Sequence, residues 1–193
     1  MVKTKKKDDR LNVLVVEDNP IHQKAAQILL ADYNLTIAKN FDRAADTITG
    51  GSSYSPYRFE GVGKTKIDVV ITDLLFPQGR GDCMADKSRS SWLEKPFGYP
   101  IALMAVKEGI PYVAIVSAGN HHEDPMAYTI DFFQDERRHP HIFVCGSSKL
   151  AIIDSYNLEP TMYLKDCGTE LAEHGEYAKL VKNYKAVMDL LLK

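Results

Sequence analysis

The feature that most constrains this chain is a set of short apolar, β-branched runs that each stop at a polar residue. Leu11 to Val16 (LNVLVV) halts at Glu17-Asp18-Asn19-Pro20, Ile67 to Thr72 (IDVVIT) halts at Asp73, and Tyr112 to Val116 (YVAIV) halts at Ser117. Runs that are apolar at consecutive positions are strands buried on both faces, the condition of a parallel sheet covered by helices. The intervening segments supply those helices. Asn19-Pro20 is a start signal, and Ile21, Ala25, Ile28 and Leu29 recur at helical spacing through Tyr33. Leu35 to Ala38 reads as another strand, Asn40 as a cap, and Phe41 to Ile48 as a second helix. A third helix is expected from Ile101 to about Glu108, stopping at Gly109, and a fourth over Pro125 to Arg138.

Beyond this the pattern offers two last strands, His141 to Cys145 (HIFVC) and Thr161 to Leu164 (TMYL), with a helix expected between them at Lys149 to Tyr156. Tyr177, Leu180, Val181, Tyr184, Val187, Met188 and Leu191 form an apolar stripe that predicts a terminal amphipathic helix. Strands alternating with helices, joined by right-handed crossovers, give an α/β, doubly wound, five-stranded parallel sheet. Residues 1–10 read as a flexible basic terminus and 11–193 as one domain. Polar, Gly-bearing insertions without periodicity fall at about 50–66 and 78–97.

At 193 residues, with 45% hydrophobic and 26% charged, the chain has the usage of a globular protein and excludes a disordered or collagen-like one. A formal charge of -2 provides no global field toward nucleic acid or a membrane surface. The basic start lacks the apolar stretch of a signal peptide, and no apolar run approaches the roughly 18 residues of a membrane span. Cys83, Cys145 and Cys167 are odd in number and widely spaced, which fits neither a disulfide framework nor a zinc site. A cytoplasmic protein is expected.

Ligands of such sheets bind outside the carboxyl ends of the strands. Glu17, Asp18, Asp73 and Ser117 all fall at that edge if the strands are parallel. Crowded carboxylates repel one another unless a hard divalent cation neutralises them, and oxygen ligands with room for water suit Mg²⁺. Beside such a cation a carboxylate can act as nucleophile toward a phosphoryl group, and Asp73, ending the middle strand, is the candidate. Ser117 is placed to hydrogen-bond a phosphoryl oxygen, and a lysine to pair with another.

VLVVEDNP at 13–20, VVITDLLFP at 69–77 and VAIVSAG at 113–119 together resemble response-regulator receiver domains, over about residues 11–118. The resemblance implies the flavodoxin-like strand order 2-1-3-4-5. It also implies that Glu17, Asp18, Asp73 and the backbone carbonyl of Leu75 bind Mg²⁺, that Asp73 accepts the phosphoryl group, and that Ser117 is the switch hydroxyl. Receivers carry a lysine at the end of the fifth strand. Two imperfect candidates exist here, Lys165 directly after TMYL and, as the alternative, Lys149. The implied function is a stand-alone phosphoacceptor signalling domain rather than a turnover enzyme, with no output domain following. Its partners would be a histidine kinase or phosphotransfer protein and a downstream protein, with no nucleic acid or membrane.

Two rival functions remain open. One is a pseudo-receiver that binds partners through its inserted loops without phosphorylation. The other is a Mg²⁺-dependent phosphatase with an aspartyl-phosphate intermediate; such enzymes commonly place a second aspartate two residues after the nucleophile as general acid, where this chain has Leu75. Asn120-His121-His122, just past Ser117, reads as loop polarity, and Lys95-Pro96 as a lysine–proline pair out of position.

Overall fold

The structure, a computed structural model, describes residues 10–51, 66–79, 94–118, 128–134, 139–163 and 180–193. The run LNVLVV becomes β1 (Asn12–Val16), flanked in parallel by β2 (Asn34–Ala38) and β3 (Val69–Thr72). Its burial on both faces explains why it carries no polar alternation. β4 (Tyr112–Ser117) pairs with β3, and β6 (Ser148–Asp154) pairs with β4, both in parallel. β5 (Ile142–Cys145) lies antiparallel on the outer side of β6, folded back through a tight turn in which Gly146 supplies a φ of 62°. The sheet order is therefore β2-β1-β3-β4-β6-β5. Five parallel strands stand in the doubly wound, flavodoxin-like arrangement, with one antiparallel strand added at the edge.

The helices cover both faces of the sheet, as right-handed crossovers on either side of β1 require. α1 (Pro20–Leu29) packs Ala25 and Ala26 on Val13, Val15 and Ile71, and the terminal helix α4 (Tyr184–Leu192) adds Val187, Met188 and Leu191 to the same layer. α2 (Phe41–Thr49) and α3 (Gly98–Lys107) pack Ala44, Ile48, Ile101 and Ala105 on Leu14, Val70 and Val113 across the sheet. Caps set the helix starts: Asn19 accepts the N–H of Ile21 at 2.9 Å, with Pro20 in the first turn, and Asn40 accepts that of Arg43 at 2.9 Å.

The C-terminal third departs from the sequence expectation. The helix expected at Lys149 to Tyr156 is the fifth parallel strand, β6, because the run Leu150 to Ile153 is a buried strand of ordinary length rather than one turn of an amphipathic helix. HIFVC is the added antiparallel edge. TMYL contributes β7 (Met162–Tyr163), which pairs with β8 (Leu180–Val181) in a separate two-stranded sheet. The terminal helix starts at Tyr184, since Asn183 caps it by accepting the N–H of Ala186 at 3.0 Å. The segment expected as a helix over Pro125 to Arg138 forms a 3-10 turn at Thr129–Phe133 and is extended by Gln134. Among the described residues, no helix is long and apolar enough to cross a membrane.

The insertion expected at 78–97 leaves and returns through anchored feet. The carbonyls of Pro77 and Gln78 accept the N–H groups of Phe41 and Asp42 at 3.1 and 2.9 Å, at the start of α2. Lys95 exchanges backbone hydrogen bonds of 3.2 Å with Phe76. Residues 80–93, most of the 50–66 loop, the basic terminus before Arg10 and Asn120-His121-His122 lie outside the described residues.

Candidate functional site

Three strand ends meet at the carboxyl edge of the sheet. The N–H of Glu17 donates to the Ala38 carbonyl at 2.9 Å and that of Asp73 to the Val16 carbonyl at 2.8 Å, so both acidic residues are pinned by continuing the β-ladder by one bond. Glu17, Asp18 and Asp73 each offer a carboxylate oxygen, and these oxygens lie within 4.8 Å of one another. α3 closes against this point: Gly98 donates its N–H to the Leu74 carbonyl at 3.0 Å, and a methyl group at Gly98 would overlap the Asp73 carbonyl oxygen.

A lysine that sequence reasoning missed lies at the centre of the cluster. Lys182 is 1% exposed, and its Nζ lies 2.6 Å from Asp73 Oδ2 and 2.7 Å from Glu17 Oε2. It follows β8 directly and precedes the α4 cap. The arrangement is anchored further by the Tyr184 hydroxyl, which donates to Glu17 Oε2 at 3.0 Å, and by the N–H of Asn19, which donates to Glu17 Oε1 at 3.1 Å. Asp73 Oδ1 accepts the N–H of Leu74 at 2.6 Å. A buried charge needs such partners, since the desolvation of each ion costs several kcal/mol.

Burial raises the Asp18 carboxyl from 3.8 to about 6, and the neighbouring charges of Glu17, Glu94 and Asp73 push the same way. Burial also pushes the Asp73 carboxyl up, against the Lys182 ammonium. For Lys182, burial lowers the value but the charges of Asp73 and Glu17 more than offset it, so the ammonium is held above the ordinary lysine range. His22, in the first turns of α1, is lowered to about 4 by burial and then by the Lys182 charge.

No protein-family model matches the chain, and no curated protein matches it. Among solved structures it is similar to the N-terminal domain of a response regulator/sensory box/GGDEF three-domain protein from Carboxydothermus hydrogenoformans. That likeness has 18% identity and a TM-score of 0.37 over 56% of this chain and 66% of that one. It is also similar to a fusion protein carrying a trimeric coiled-coil segment from yeast, at 20% identity and a TM-score of 0.38 over 63% of this chain and 59% of that one. The roles of the site residues rest on this chain's own geometry.

The remaining expected residues are placed as follows. Ser117 is buried at the end of β4, on the same edge and in register with Asp154 of β6. Leu75 follows Asp73 in the loop, its side chain against the α2–α3 layer. Lys149 does not belong to the site. It opens β6 beside Tyr112, at the opposite edge, where its Nζ donates to the Leu191 carbonyl at 3.4 Å and lies 5.8 Å from the Tyr112 ring centroid. Lys165 lies outside the described residues. The signal for Lys182 was Asn183: a capping residue before an apolar periodic run places the preceding Val181-Lys182 at a strand end, as Asn19 does for Glu17-Asp18.

Proposed function

We propose that this chain is a receiver-type signalling domain that accepts a phosphoryl group on Asp73 from a histidine kinase or phosphotransfer partner and transmits the change through protein contacts. The observation that carries this reading is the buried ion cluster, in which Lys182 contacts the same carboxylate that shares an edge with Glu17 and Asp18.

The donor set is three carboxylates, hard oxygen ligands with a half-exposed member in Asp18, and it fits Mg²⁺. Bound there, Mg²⁺ would offset negative charge on the transferring phosphoryl oxygens. The chain's own residues do the rest. A carboxylate oxygen of Asp73 forms the new O–P bond as the P–N bond of a phosphohistidine breaks, and the electron pair leaves with the imidazole nitrogen. Lys182 supplies a fixed positive charge to the acyl phosphate that results. Ser117, buried at the adjacent strand end, would hydrogen-bond a phosphoryl oxygen in this reading.

Incubation with a phosphohistidine-bearing phosphotransfer domain and Mg²⁺ should move label onto wild type and not onto Asp73→Asn; equal labelling of the two would overturn the assignment. A second reading, a pseudo-receiver, is favoured by one observation: the Lys182 ammonium already pairs with both Glu17 and Asp73. In that case partner binding would be insensitive to Asp73→Asn and would depend on residues 78–97.

A further inference from the structure

We propose that Tyr184 is a positioning residue for this site: its buried hydroxyl fixes Glu17, so that Lys182 can shift toward Asp73 without leaving Glu17 unpartnered. This rests on the reading of Glu17, Asp18 and Asp73 as a divalent-cation site and deepens it.

Glu17 Oε2 takes two donors, Lys182 Nζ at 2.7 Å and the Tyr184 hydroxyl at 3.0 Å, while Oε1 takes the Asn19 N–H at 3.1 Å. The carboxylate is thus held at three points and is 1% exposed. Tyr184 is equally buried, its ring in the α1–α4 layer. Packing there asks only for a ring, and a phenylalanine would satisfy it. A hydroxyl carried into that layer costs free energy unless it is bonded, and here it donates to an anion, which is the stronger class of hydrogen bond. The position of Tyr184 follows from the same local device that delivers Lys182. Asn183 caps α4 and donates its Nδ2 to the Pro160 carbonyl at 2.8 Å, which fixes the residues on either side of it. Lys182 and Tyr184 therefore approach Glu17 together from one short segment.

Lys182 is shared between two carboxylates, and any group that adds negative charge at Asp73 draws the ammonium that way. Glu17 would then be a buried carboxylate short of one donor. Tyr184 and the Asn19 N–H remain on it, hold its orientation and keep it available to a cation. Groups that orient a metal's ligands in this manner typically contribute about 10- to 100-fold to affinity.

The test is the Mg²⁺ dissociation constant, measured by calorimetry on the full chain for wild type, Tyr184→Phe and Tyr33→Phe, at a temperature where all are folded. Tyr33 lies on the rim of the same layer and serves as a hydroxyl-loss control. Tyr184→Phe should weaken Mg²⁺ binding about tenfold and Tyr33→Phe should not. A merely structural role would lower the melting temperature and leave the constant within twofold, and that result, or a wild type that binds no Mg²⁺ at millimolar levels, overturns the proposal. If Tyr184→Phe fails to fold, wild type labelled at tyrosine Cζ gives the same answer. The Tyr184 signal should move in step with Mg²⁺ binding, and a signal that stays fixed overturns the proposal. Neither readout requires phosphorylation, so failure of phosphoryl uptake and failure of this inference are told apart.

Discussion

Lys182 carries a positive charge into a site with almost no solvent, and among the described residues it is compensated by two carboxylates. Removing the ammonium strands Glu17 and Asp73 together, which is the costly way to break a buried pair. Lys182→Met should therefore lower unfolding free energy by about 3–5 kcal/mol in a urea titration. A loss below about 1 kcal/mol, the scale of an exposed pair, would show the lysine to be solvated. Two other residues act oppositely with pH. The His22 imidazole is held at about 4 against 6.5 when free, so the unfolded chain takes up the proton first and stability is lost as pH falls from 6.5 to 4. Asp18 is held at about 6 against 3.8, so the folded chain takes up the proton first and stability is lost as pH rises through that interval. Without divalent cation, Asp18→Asn should melt at increasing temperature as pH goes from 4 to 6.5, and His22→Gln at decreasing temperature, each relative to wild type. Parallel melting curves for the three proteins would contradict both assignments. At this scale Glu17 and Asp73 were legible because each directly follows a buried run, and Asp18 because it comes next after Glu17. Lys182 was hidden because Leu180, Val181 and Tyr184 also fit helical spacing, and the capping value of Asn183 was absorbed into that stripe.

Elements at the carboxyl edge are held by close approach as much as by hydrophobic packing. α3 starts against the backbone of Asp73 and Leu74 because Gly98 has no side chain there. Gly98→Ala must displace either the helix or the loop, both backbone, and should destabilise the protein by about 1–3 kcal/mol. It should also weaken Mg²⁺ binding, because the loop it displaces carries Asp73. Unchanged stability and unchanged affinity would show that the loop yields freely. The elements readable in advance were those with a stop signal: β1 before Glu17, α1 after Asn19-Pro20, and α2 between Asn40 and Gly50, where φ is 69°. β6 was not, because Leu150-Ala151-Ile152-Ile153 is too short a run to separate a buried strand from part of a buried helix. The decisive cue was the tight Gly146-Ser147 turn, which joins β6 to β5 as a hairpin and makes a helix there untenable.

Across the whole molecule, the doubly wound topology gathers the ends of β1, β3, β4 and β6 at one edge, and for β1, β3 and β4 that followed from counting strand–helix alternations. The antiparallel β5 and the small β7–β8 sheet did not follow, because a hairpin and a crossover differ in connection geometry rather than in hydrophobic pattern. Their consequence is that the fifth parallel strand ends at Asp154, whereas the lysine arrives from β8, after the chain has left the main sheet and returned. The insertion after β3 is rooted beside the site by Pro77, Gln78 and Lys95, and it brings the charge of Glu94 to bear on Asp18. One edge thus combines the Asp73 carboxylate, a buried ammonium, two further acids and a rooted insertion. The most direct test is the intact mass of wild type and Asp73→Asn after incubation with Mg²⁺ and a small-molecule acyl-phosphate donor. The account predicts a gain of one phosphoryl group in wild type alone. No gain in wild type, or an equal gain in Asp73→Asn, would contradict it.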